Sequence, residues 1–108
     1  MTAERAPRHL KAATRRWWET VAGDYHLEAH HLRTLTAASE AWDRYQEARE
    51  LLAREGAVYR DRFDSPRKHP AVSIEENART AFLRAVRELA LEDSDQPEVR
   101  PPRLRRVG

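Results

Sequence analysis

LEAHHLRTLTAASEAWDRYQEARELLAREG, residues 27–56, holds no proline and no glycine before its final position. Leu32, Leu35, Trp42 and Leu52 mark one side of this run, and Ala38, Ala41, Tyr45 and Ala48 recur three and four apart beside them. That is the spacing of an amphipathic α-helix, and Gly56 stands where a left-handed C-terminal cap belongs. The run therefore predicts one helix from about Leu27 or Glu28 to Glu55. At 1.5 Å per residue it is a rod of about 40 Å, far longer than the ~11 or 12 residues of an average globular helix. A rod of that length overhangs the core that 108 residues can build. Two adjacent apolar strips then imply two clients, one inside the chain and one outside it.

Upstream, Leu10, Ala13, Trp17 and Val21 share a helical face and predict a first helix from Leu10 to about Ala22, ended or bent by Gly23 and Asp24. Neighbouring residues on a helix point about 100° apart, so Trp17 and Trp18 cannot enter the same narrow seam. The register assigns Trp17 to the core. Trp18 joins Ala22 and Tyr25 in a second row, aimed at a neighbouring helix or subunit.

Downstream, residues 56–70 lose helical periodicity and read as an ordered loop or small hairpin, with Val58 and Tyr59 extended and a bend at Asp64-Ser65-Pro66. A third helix follows to about Leu91, with the face Ile74, Ala78, Phe82, Ala85 and Leu89. Pro70 suits its first position, and Ser73 to Glu76 offers a capping box one turn later. From Glu92 the composition turns to Asp, Ser, Gln, Pro and Arg without periodicity. The expected class is all-α: an N-terminal helix plus a long antiparallel helical hairpin with a flexible basic tail. The expected layout is a flexible basic N-terminus (1–9), a helical domain (10–92) and a disordered Arg-rich tail (93–108).

Charged residues make up 35% and apolar ones 40%, a balance that suits long solvated helices. There is no cysteine, which excludes disulfides and thiolate metal sites and fits a reducing compartment. No apolar run approaches the ~20 residues of a membrane span, so no membrane role is expected. His26, His30 and His31 lack the His-Glu-x-x-His pattern and read as polar residues around a helix start rather than as metal ligands. Glu40, Glu47 and Glu50 each lie about a turn from an arginine such as Arg44 or Arg54, as on a solvated face. With no glycine-rich phosphate loop and no nucleophile motif, neither catalysis nor a cofactor is expected.

The net charge is only +2, but the basic residues are clustered. Arg5, Arg8, Lys11, Arg15 and Arg16 stand against one acid, Glu4, in the first sixteen positions. Arg60, Arg62, Arg67 and Lys68 form a second group, diluted by Asp61 and Asp64. Both are candidate phosphate contacts, and the plain alternative is that they solubilise a helical surface. A few contacts per subunit bind strongly only when subunits are multiplied.

The order of features resembles the small subunit of phage terminase. The residues that carry the resemblance are His9-Leu10 through Arg15-Arg16-Trp17-Trp18, the run from Tyr25 to Leu32, and the run from Ala37 to Arg44. Asp61-Arg62-Phe63 leading to Pro66 and His69-Pro70 adds to it, with Ile74-Glu75, Ala81-Phe82-Leu83 and Arg87-Glu88-Leu89 after them. It covers roughly residues 8–92. It implies a non-enzymatic, ring-forming factor that recognises double-stranded viral DNA and delivers it, in the host cell cytoplasm, to the large subunit that has the ATPase and nuclease. It also implies that the long helices are the stretches from Leu27 to Glu55 and from Pro70 to Leu91. Many relatives have glycine after Asp-Arg-Phe where this chain has Asp64, a residue that tolerates the left-handed conformation better than most. A long N-terminal Lys/Pro-rich extension is common in the family, and in its place Arg5 to Arg16 are expected to contribute the DNA contact.

On this reading a homo-oligomeric ring is closed by heterologous contacts through Trp18, Ala38, Ala41, Tyr45 and Ala48. Arg100, Arg103, Arg105 and Arg106 are expected to dock the large subunit or DNA, by analogy with the family alone. The alternatives are a small dimeric helical DNA-binding regulator, with a two-helix unit across Gly23-Asp24, and a protein-binding helical adaptor.

Overall fold

The computed structural model describes residues 4–90. Its elements are α1 (Ala12–Asp24), α2 (Ala29–Glu55), β1 (Val58–Arg60), β2 (Pro66–Lys68) and α3 (Pro70–Leu89). The architecture is the expected one, a first helix laid on a long helical hairpin, with a two-stranded antiparallel ribbon at the hairpin's bend.

Each helix boundary has a local cause. Glu28 and His31 form a reciprocal capping box at the start of α2: the Glu28 carboxylate accepts the His31 N–H, and the Glu28 N–H donates to His31 Nδ1 at 3.0 Å. At the other end the Gly56 N–H donates to Leu52 O at 2.7 Å, with φ 83° and ψ 157°, a region open essentially to glycine alone. The third helix begins at Pro70, whose fixed φ suits a first turn, and the His69 side chain accepts the Ala71 N–H at 3.0 Å. It ends at Ala90, which is left-handed at φ 52°.

The hairpin is antiparallel. His69 Nε2 meets Glu55 Oε1 at 3.0 Å at the bend, the Trp42 and Phe82 rings lie 5.0 Å apart midway, and Leu35 and Leu89 share the buried cluster at the far end. α1 runs back along α2: its start meets Asp43, while Trp18 Nε1 donates to Thr36 Oγ1 at 3.2 Å. The core is Leu10, Trp18, Val21, Leu35 and Leu89.

Trp18 packs on the neighbouring helix α2, one of the two places expected of it, but it is the core indole, while Trp17, expected in the core, lies at its edge. Trp18 is only 3% exposed and sits in the core, whereas Trp17 is half-buried and tilts against Phe82 at 5.9 Å. The cause lies at the N-terminus of α1. Leu10 precedes the helix and is buried from a turn, so it does not define the inward face. The true stripe is Thr14, Trp18 and Val21, continued by the partly buried Tyr25. A threonine opens it because its hydroxyl donates to Asp43 Oδ1 at 2.5 Å, while Oδ2 accepts the Lys11 N–H at 2.9 Å. Asp43 thus caps α1 from another helix, placing a carboxylate at the positive end of the helix dipole. Ser39, fully buried, turns its hydroxyl to Leu35 O at 2.8 Å. Among the described residues, no buried side-chain polar atom lacks a partner.

The two strips of α2 also need correction. Ala38 and Ala48 are 0% and 4% exposed and Leu35 is 0% exposed, so members of both strips are covered within one chain. Trp18, Ala38 and Ala48, expected at an intersubunit contact, have almost no surface left to offer a second copy. Ala41 and Tyr45 remain partly accessible. The exposed large apolar groups lie elsewhere, on α3 (Ile74 and Leu83) and on the ribbon (Val58, Tyr59 and Phe63).

Candidate nucleic-acid interface

The ribbon at the end of the hairpin holds four of the basic candidates. Val58 pairs with Lys68, Tyr59 with Arg67 and Arg60 with Pro66. Paired residues on a ribbon project to the same side, so Lys68 and Arg60 share one face with Val58, and Arg67 shares the other with Tyr59. No residue of either strand is buried. Two strands of three residues are marginal alone in water, so side chains must hold the tip.

Asp61 does most of this. One carboxylate oxygen accepts the N–H groups of Phe63 at 2.8 Å and Ser65 at 3.1 Å, and the other accepts Arg67 Nε–H at 2.9 Å. The Arg67 guanidinium and those two N–H groups hold the Asp61 carboxyl below its ordinary value of 3.8. Asp64 takes the left-handed conformation at φ 58°, as expected for an aspartate standing in a glycine's place, and its N–H donates to Asp61 O at 2.9 Å. Arg60 donates to Asp64 O at 2.7 Å. At the base of the ribbon the His69 N–H donates to Ala57 O at 2.8 Å, and Tyr59 meets the His69 ring edge-on.

These contacts sort the four cations. Arg67 and Arg60 are engaged by Asp61 and Asp64. Among the described residues Arg62 and Lys68 have no carboxylate partner, and the Arg62 guanidinium lies 4.8 Å from the centre of the Phe63 ring, which is 70% exposed.

The N-terminal group lies elsewhere. His9 Nε2 meets Glu40 at 2.7 Å and Lys11 Nζ meets Glu47 at 3.8 Å, which puts this group beside the middle of α2. From Asp43 to Glu55 is twelve residues, about 18 Å along the helix, so the two basic groups do not form one patch. Arg15 reaches Arg8 O at 3.5 Å, and Arg5, Arg8 and Arg16 are exposed. Arg100, Arg103, Arg105 and Arg106 lie outside the described residues, as does the tail expected at 93–108.

Three residues with clear structural work escaped the sequence reading: Asp43 between two helices, His69 at the hairpin bend and Asp61 within the tip. Asp61 had a local signal, an aspartate three residues before the bend whose carboxylate can close an Asx-turn onto the Phe63 N–H. Asp43 had none, because its donors are 29 and 32 residues away. His30 stacks near His31 at 4.0 Å and approaches Glu28 at 3.7 Å, an arrangement accounted for by the helix start. Among the described residues no cluster of three His or acidic side chains could hold a metal, and no helix is long and apolar enough to cross a membrane.

Compared with known proteins, residues 11–103 match a family described as "Phage terminase, small subunit". No curated protein and no solved structure matches.

Proposed function

The chain belongs to the phage terminase small-subunit family, and from that premise we propose that it is the non-catalytic DNA-binding component of the packaging machinery, with the ribbon as its principal DNA contact. The observation that carries this reading is the pair Arg62, in the turn, and Lys68, at the ribbon's base, cations without carboxylate partners on a ribbon whose other charges pair with one another. Phosphate oxygens supply the missing counter-charge. The exposed Arg5, Arg8 and Arg16 add a second, weaker contact, since Lys11 is already engaged by Glu47. Bound viral DNA is handed to the large subunit, which performs the chemistry in the infected host cell, and the arginines from Arg100 to Arg106 assist that docking.

The protein works as a homo-oligomer, because the few cations that each chain presents bind DNA strongly only when several chains engage one duplex. Ala41 and Tyr45 on α2, with the exposed Ile74 and Leu83 of α3, supply the contact in place of the covered Trp18, Ala38 and Ala48. Light scattering should report a stable multi-subunit species; a monomer at micromolar concentration would contradict this part.

The DNA-binding claim is tested by fluorescence anisotropy with duplex DNA over a salt series. Each phosphate contact contributes about 0.9 to the slope of log affinity against log salt. The Arg62→Ala, Lys68→Ala double variant should lower that slope by about 1.8 for each engaged chain. An unchanged slope would remove the ribbon from the interface, and absence of binding at low salt would favour a purely protein-binding role.

A further inference from the structure

Among the described residues Phe63 is the most exposed of the large apolar side chains, at 70%, and it sits at the turn between the strands. Nothing in its own fold requires an aromatic there. Its ring makes no contact with another ring, and its backbone N–H is already committed to Asp61. A phenyl ring has no hydrogen-bonding atom, so the one base-edge group it can read is a thymine methyl. Its other uses beside DNA are to stack or to fill a gap between bases.

The backbone that carries the ring is held in place. Asp61 fixes the turn with three hydrogen bonds, Asp64 adds the left-handed step, and His69 ties the ribbon to both long helices. Arg62 lies against the face of the ring, and the ribbon as a whole has four cations against the two carboxylates of Asp61 and Asp64. Apolar side chains presented among phosphate-binding cations are the means by which proteins enter a base step, unstack it and kink the duplex. The charge around Phe63 favours nucleic acid over an apolar protein groove as its partner.

We propose that Phe63 is a wedge that inserts between base pairs of the bound duplex and bends it, with Arg62 beside it holding the adjacent phosphate and Lys68 a second phosphate at the base of the ribbon. This rests on the ribbon binding DNA, and it adds a mechanical role: the chain selects DNA by how cheaply a step can be opened. Pyrimidine–purine steps, which unstack most readily, are the preferred targets.

The test is energy transfer between dyes at the two ends of a duplex, read together with the salt slope, for the full chain and for Phe63→Ala, Phe63→Leu and the Arg62→Ala, Lys68→Ala double variant. The wild type should shorten the end-to-end distance and bind a duplex with a central TA step or mismatch several-fold more tightly than a uniform one. Phe63→Ala should keep the salt slope and lose both the bend and the preference, while Phe63→Leu, still an apolar wedge, should retain part of each. Circular dichroism should show unchanged helicity, since the ring is exposed and lies outside the helices. Bending by Phe63→Ala equal to wild type would overturn the wedge while leaving DNA binding intact. Loss of self-assembly by Phe63→Ala with unaltered DNA bending would assign the ring to a protein contact instead. Failure of the wild type to bind any duplex at low salt would overturn both the wedge and the reading beneath it.

Discussion

Asp43 and Asp61 do the same chemical work in opposite surroundings. Each carboxylate collects donors from residues that would otherwise leave them unpaired: Lys11 N–H and the Thr14 hydroxyl in one case, two N–H groups and the Arg67 guanidinium in the other. Asp43 is 8% exposed and joins residues from two helices about thirty positions apart. Asp61 binds only residues within six positions of itself. The first aspartate closes a tertiary joint and the second shapes a projecting tip. The chain thus separates a body whose buried side-chain polar atoms are all partnered from an exposed ribbon in which Arg62 and Lys68 meet no carboxylate.

The strongest way to break this division is at the core. Trp18→Ala removes a buried indole and should cost about 3–5 kcal/mol in chemical denaturation, while Trp17→Ala, half-buried beside Phe82, should cost about 1–2 kcal/mol. Equal losses would mean that neither indole is the anchor of α1. Next in size is Asp43→Ala, which strands two donors at the start of α1 and should cost about 3 kcal/mol. A loss below about 1 kcal/mol would show that water replaces the carboxylate and that the joint is open.

Asp61→Ala should leave global denaturation almost unchanged yet disorder the tip, read as faster amide exchange at residues 58–68. Acid should act the same way. The Asp61 carboxyl is lowered in the fold by Arg67 and then by the Ser65 and Phe63 N–H groups. Its contribution is therefore complete above the ordinary aspartate value near 3.8 and disappears as the pH falls through the lowered one. Tip signals that ignore both acid and the substitution would assign its order to the strands instead.

The long helices were legible because their signals are local: an unbroken periodic run, Gly56 at a position only glycine adopts easily, and Pro70 opening α3. Which indole faces inward was not, because the inward stripe of α1 begins with Thr14, a polar residue made apolar in effect by Asp43. The same blindness gave α2 an unpartnered strip, since Ser39 and Asp43 carry buried positions that a hydropathy pattern cannot count. Of the DNA candidates, the residue types were readable, but their pairing was not. Arg60 and Arg62 look alike in sequence, and only the fold shows that Asp64 engages one and leaves the other free of a carboxylate.

The division between body and ribbon is tested most directly by amide exchange with and without duplex DNA. The larger protection should appear across residues 58–68, with a smaller one around Arg5, Arg8 and Arg16 and none at residues 36–43 of the Asp43 joint. Protection confined to the N-terminal residues and α1, with the ribbon exchanging as fast as in free protein, would contradict it.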